Sequence, residues 1–131
     1  MNDERYEQGL KLRREMLGTD YVDRAIGSAN DFNKPFQDLV TEYVWGYLWH
    51  REGLSHRERI LINLAILSST NMPNEVKLYV DIALRAGLSP DDIREVFLHT
   101  AMYSGVPRAL EAFRVAGEAM AARDEGQTAS E

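Results

Sequence analysis

Residues 89–107 read Ser89-Pro90-Asp91-Asp92-Ile93-Arg94-Glu95-Val96-Phe97-Leu98-His99-Thr100-Ala101-Met102-Tyr103-Ser104-Gly105-Val106-Pro107, one helix with its start and stop written out. Ser89 can cap the first turn, Pro90 suits the first helical position, and Asp91 and Asp92 sit where the helix dipole is positive. Gly105-Val106-Pro107 then breaks the chain after about Tyr103. The same punctuation recurs on both sides. Asp3–Leu17 is followed by Gly18, and Thr19 or Asp20 opens a short helix through Ile26, ended by Gly27. Pro35 fits the first turn of a helix over Lys34–Trp49, whose buried side would carry Phe36, Leu39, Val40, Tyr43, Val44 and Leu48. Ser55-His56-Arg57-Glu58 has the form of a capping box before the apolar helix Ile60–Ser68. A turn at Thr70–Pro73 precedes a helix over Asn74–Ala86, stopped by Gly87, and the last amphipathic helix runs to about Ala121. Alternating Val, Ile and Thr runs between turn residues do not occur, so strands are not expected. The expectation is an all-α, single-domain bundle of about seven helices over residues 1–121, with a polar, frayed tail at 122–131.

The 131 residues, 44% apolar and 27% charged, suit one domain large enough to hold a core without metal or disulfide staples. The chain has no cysteine, which excludes disulfide scaffolds, thiolate-bound zinc, iron–sulfur clusters and thiol redox chemistry. A net charge of −6 argues against nucleic acid or an anionic membrane as the main partner. No apolar run approaches the roughly 18 residues of a membrane span. The amino terminus is charged and lacks a signal-like apolar region, so a soluble cytoplasmic protein is expected.

Chemistry could sit in few places. Arg51, Arg57 and Arg59 form a basic island with His50 and His56 in an otherwise acidic chain. Guanidinium groups hold carboxylates through paired, charge-assisted hydrogen bonds, although solvated residues at a helix start would look the same. His99 lies mid-helix with Tyr103 one turn later on the same face. It can carry protons near neutral pH, or it can be a hydrogen-bonded core residue. Glu75 and Tyr79 make a second pair at this spacing, and Trp45 and Trp49 a third, such aromatic stripes being most often core or subunit interface. The three histidines show no metal-ligand spacing, and phosphate loops, dinucleotide glycines and a nucleophile elbow are absent.

Read together, these residues resemble the carboxymuconolactone decarboxylase family, and within it the 4-carboxymuconolactone decarboxylase branch. The likeness covers roughly Tyr6 to Ala116. It rests on Arg13-Arg14 with Leu17-Gly18, Val22-Asp23-Arg24, Asp31-Phe32-Asn33 with Phe36-Gln37, Trp45-Gly46, Trp49, Arg51 with Gly53-Leu54, and Arg57 and Arg59. It continues through Glu75-Val76-Lys77-Leu78, Ala86-Gly87, and His99-Thr100-Ala101 with Tyr103 and Gly105-Val106-Pro107. The resemblance implies a helical subunit assembling into a homotrimer or homohexamer. It also implies a reaction without cofactor, the loss of carbon dioxide from 4-carboxymuconolactone to give 3-oxoadipate enol-lactone. On that analogy Arg51, Arg57 and Arg59 would grip a small anionic substrate, with Trp45, Trp49 and Tyr103 walling the pocket. His99, Glu75 and Tyr79 would be the catalytic set.

Two positions depart from the branch. Tyr79 stands where a histidine is usual, and Ser104 where cysteine is often found. A tyrosine, with a reference pKa near 10, donates a hydrogen bond well but shuttles protons poorly at neutral pH. The peroxidase-type members of the wider family use a CxxC pair. Met72 and Glu75 occupy the matching positions, so that activity is chemically closed. A relative acting on another anionic lactone or β-keto acid, or a non-catalytic oligomeric binding protein, are the other readings.

Overall fold

The computed structural model describes residues 1–130, with side chains through 126. The described residues form seven α-helices and no strand: α1 (Asp3–Leu17), α2 (Thr19–Gly27), α3 (Lys34–Leu39), α4 (His56–Ser69), α5 (Pro73–Arg85), α6 (Pro90–Ser104) and α7 (Val106–Ser130). They gather into two compact units, Met1–Ser55 and His56–Glu131.

In the first unit the long helix expected over Lys34–Trp49 is interrupted. After α3 the chain widens into a π-helical segment, Val40–Trp45, and a 3₁₀ turn, Leu48–His50, follows. The N–H of Gly46 donates to the Thr41 carbonyl five residues back, at 3.0 Å. An extra residue in a turn rotates everything beyond it around the helix axis. The buried face is therefore Thr41, Glu42, Trp45, Gly46 and Trp49, whereas Phe36, Leu39, Tyr43 and Leu48 are exposed and Val40 and Val44 half-buried. α1 explains why the change of register is tolerated. A Cβ on Gly9 would run into the Thr41 carbonyl, and one on Gly46 into the Arg5 and Glu42 carbonyls, so two glycines let the backbones touch. Arg13 is 6% exposed and binds this segment, donating from Nη1 to Thr41 Oγ1 and from Nη2 to Gln37 Oε1, both at 3.0 Å. Burial without a carboxylate lowers its guanidinium pKa from the ordinary value.

The second unit keeps closely to its sequence punctuation. Ser89 Oγ accepts from the Asp92 N–H while the Asp92 carboxylate accepts from the Ser89 N–H, closing a capping box on α6. Gly87, at φ 94°, ends α5 in the left-handed region, and Leu88 N–H returns to the Ala83 carbonyl at 2.9 Å. Ile60, Leu64, Val76, Val80, Ile93 and Phe97 fill the interior, and Phe97 meets Phe113 edge-on at 5.5 Å. Each such side chain contributes about 1.5–3 kcal/mol of burial. α7 continues past Ala121 to Ser130 because its alanine-, glutamate- and arginine-rich sequence holds no proline after Pro107. Glu131, the end of the expected tail, lies outside the described residues.

Candidate active site

α4 and α6 run side by side in the same direction. Arg57 pairs with Asp92 at one end and Ser69 with Ser104 at the other, both separated by 35 residues. Between them, Ser68 and Thr100 share a buried hydroxyl contact at 2.9 Å. Along one side this pair leaves a groove of about 320 Å³. Arg57, Leu61 and Ala65 line it from successive turns of α4, and Asp92, Glu95, Val96 and His99 from one face of α6. The floor is apolar, with ionisable groups at its edges.

His99 is exposed along this groove, not sunk in the core as a mid-helix histidine between apolar neighbours allowed. Tyr103 stacks on it with ring centres 4.9 Å apart and planes 15° from parallel. At the other end the Arg57 guanidinium grips Asp92 with both ends of its fork, Nη1 to Oδ2 at 3.1 Å and Nη2 to Oδ1 at 3.0 Å. That bond, with the Ser89 N–H, holds the Asp92 carboxyl well below the usual carboxylate range and raises Arg57 in return. Asp92 thus links a helix cap to the groove. Arg57 keeps further N–H donors for a ligand but brings no net positive charge, because its partner cancels it.

The other expected site residues are placed as follows. Arg59 is half-buried in the first turn of α4, Glu75 is exposed in the first turn of α5, and Tyr79 is half-buried one turn later; none of the three lines the groove. In the first unit Arg51 lies with its guanidinium 5.5 Å from the Tyr47 ring centre, donating to the Tyr47 hydroxyl at 3.1 Å. Trp45 and Trp49 stack on each other at 5.0 Å inside that unit's core. Of the expected set, the second unit brings together Arg57, His99 and Tyr103. Glu95 was missed, although it lies four residues before His99, the spacing that also singled out Tyr103. Asp92 was read only as a helix-start acid, since a partner 35 residues away leaves no local mark. Ser104, where the branch often has cysteine, donates to Ser69 Oγ at 3.1 Å. Among the described residues no three His, Asp or Glu side chains cluster as metal ligands, and no helix is long and apolar enough to cross a membrane.

Residues 34–118 match the carboxymuconolactone decarboxylase family. The chain is 36% identical over 119 residues to the 4-carboxymuconolactone decarboxylase of Acinetobacter baylyi, covering 90% of this chain and 89% of that one. It is also 36% identical over 110 residues to the nitrosuccinic acid decarboxylase of Metarhizium robertsii, covering 84% and 77%. A 4-carboxymuconolactone decarboxylase sequence from Pseudomonas putida matches at 42% over 43 residues, 33% of this chain and 90% of its own length.

Proposed function

This chain belongs to the carboxymuconolactone decarboxylase family, and we propose that it is a carboxy-lyase that needs no cofactor because its substrate carries its own electron sink. The substrate class is a small di-acid whose departing carboxylate sits beside an internal acceptor. For 4-carboxymuconolactone, carbon dioxide leaves the ring carbon bonded to the lactone oxygen. The electron pair passes through the ring double bond into the lactone carbonyl, giving a dienolate. A proton added to the ring carbon next to that carbonyl yields 3-oxoadipate enol-lactone. The protein's work is to hold the carboxylates, stabilise the enolate oxygen and supply the proton.

The observation that carries this reading is the α4–α6 groove, where an arginine and a stacked, accessible imidazole face an apolar floor. His99 is the proton donor, and Tyr103 holds its ring. Arg57 binds an anionic group of the substrate through the N–H donors that Asp92 leaves free. The exposed apolar side chains Phe32, Met102, Val106 and Leu110 support a homo-oligomer, a trimer or hexamer.

The fungal relative supports a second substrate. Nitrosuccinic acid is also a di-acid, and its nitro group accepts the electron pair as a nitronate. Purified protein, with nothing added, is to be assayed by ultraviolet absorbance and carbon dioxide release on both acids. Turnover of 4-carboxymuconolactone is the expected result. Turnover of nitrosuccinate alone moves the assignment to that acid, and binding of both without turnover makes the chain a binding protein.

A further inference from the structure

We propose that Glu95 is a positioning residue for His99, the two forming a carboxylate–imidazole couple along α6, an inference that rests on the α4–α6 groove being the active site. Four ionisable side chains line that groove. Arg57 and Asp92 satisfy each other at its far end. Glu95 and His99 enter no ion pair among the described residues, with each other or with any other group, so the couple is one that a rotation of these two exposed side chains would close. They are one turn apart, with the carboxylate toward the helix amino end, the favourable order for an acidic and a basic group on a helix.

Side chains on a helix lean back toward its amino end, so Tyr103 reclines on His99 and His99 in turn lies over the turn that bears Glu95. The Tyr103–His99 stack is the visible half of this series. It restrains the imidazole from the carboxyl-terminal side and leaves the Glu95 side for a hydrogen bond. A carboxylate that accepts from one ring nitrogen fixes the tautomer, leaves the other nitrogen for the substrate and favours the protonated ring. Leu61, Ala65 and Val96 make the groove wall beside the couple apolar and offer neither side chain a competing polar partner. The charged and titratable groups that share the groove with His99 are Arg57 from α4 and Asp92 and Glu95 from α6, with Tyr103 stacked on its ring; neither α5 nor α7 lines the groove.

The test is an NMR titration of the histidine ring protons in the full chain without substrate. His99 is assigned by the signal lost in His99→Ala, since the chain has only 3 histidines. Glu95→Gln should lower the His99 midpoint by about 0.2–0.4 pH unit, the size of a one-turn ion pair. Glu95→Asp should recover most of that shift. Glu7→Gln, the same charge change on an exposed residue of α1, should leave His99 unmoved. In the decarboxylation assay Glu95→Gln should lower kcat with KM held, and move the alkaline limb down by the same interval. An unchanged midpoint in Glu95→Gln, or an equal shift in Glu7→Gln, overturns the couple. Wild-type turnover by His99→Ala overturns the active-site reading on which the couple's catalytic purpose rests, a result on which the titration does not depend.

Discussion

Trp45–Trp49 and His99–Tyr103 are near copies in local geometry. Each is an aromatic pair four residues apart, stacked at 5.0 Å and 22° in the first case and at 4.9 Å and 15° in the second. Their surroundings are opposite. Trp49 is 2% exposed and packs the interior of the first unit, whereas Tyr103 is 83% exposed in the second. The same spacing therefore makes a core in one region and a reactive edge in the other. What separates them is whether a neighbouring backbone closes over the rings. In the first unit two glycines admit α1 to the π-helical segment. In the second, the α4–α6 pair leaves an open groove along the His99 face.

This contrast can be broken by removing each ring in turn. Trp49→Ala should cost about 3–5 kcal/mol, as a large core truncation does, read as a lowered denaturant midpoint. An unchanged midpoint would remove the tryptophan pair from the core. His99→Ala should do the reverse, lowering turnover by about 100-fold or more while moving stability by no more than about 0.5 kcal/mol. Equal losses of stability in the two variants would erase the distinction.

Smaller changes sharpen it by asking how α6 holds its face. Ser89→Ala removes the hydroxyl that caps the Asp92 N–H and should cost about 1 kcal/mol, with faster amide exchange in the first turn of α6. The last effect is read in pH. Asp92 titrates lower in the folded chain than its ordinary value of 3.8, chiefly because Arg57 binds it. The stability it contributes is present above that value and is lost as pH falls through the folded one, because the unfolded chain takes up the proton first. The advantage of the wild type over Asp92→Asn should therefore shrink as denaturation is repeated from about pH 5 to about pH 2. A constant gap would mean that the carboxylate charge is not what links α4 to α6.

The second unit was almost fully legible from residue order. Ser89, Pro90, Gly87 and Gly105 act through their own backbone or the next turn, so their effects are written locally. The segment after Pro35 misled for the converse reason. Its apolar residues suggested a regular α-helix with Phe36, Leu39, Tyr43 and Leu48 inward, and the π register turned Trp45 and Trp49 inward instead. The site divides in the same manner. His99 with Tyr103 was visible as an i, i+4 pair on α6. The commitment of Arg57 to Asp92 was not, since nothing in the neighbourhood of either residue names the other.

Helix count, stops, caps and the chemical kinds available to a site are properties of short stretches of chain, and for this protein they were settled by residue order alone. Which aromatic pair is core and which borders a groove, which arginine is already matched, and that the Glu95–His99 face of α6 lines a groove depend on contacts between distant helices. Burial and charge pairing are set by what packs opposite, and that is decided only when the chain has folded.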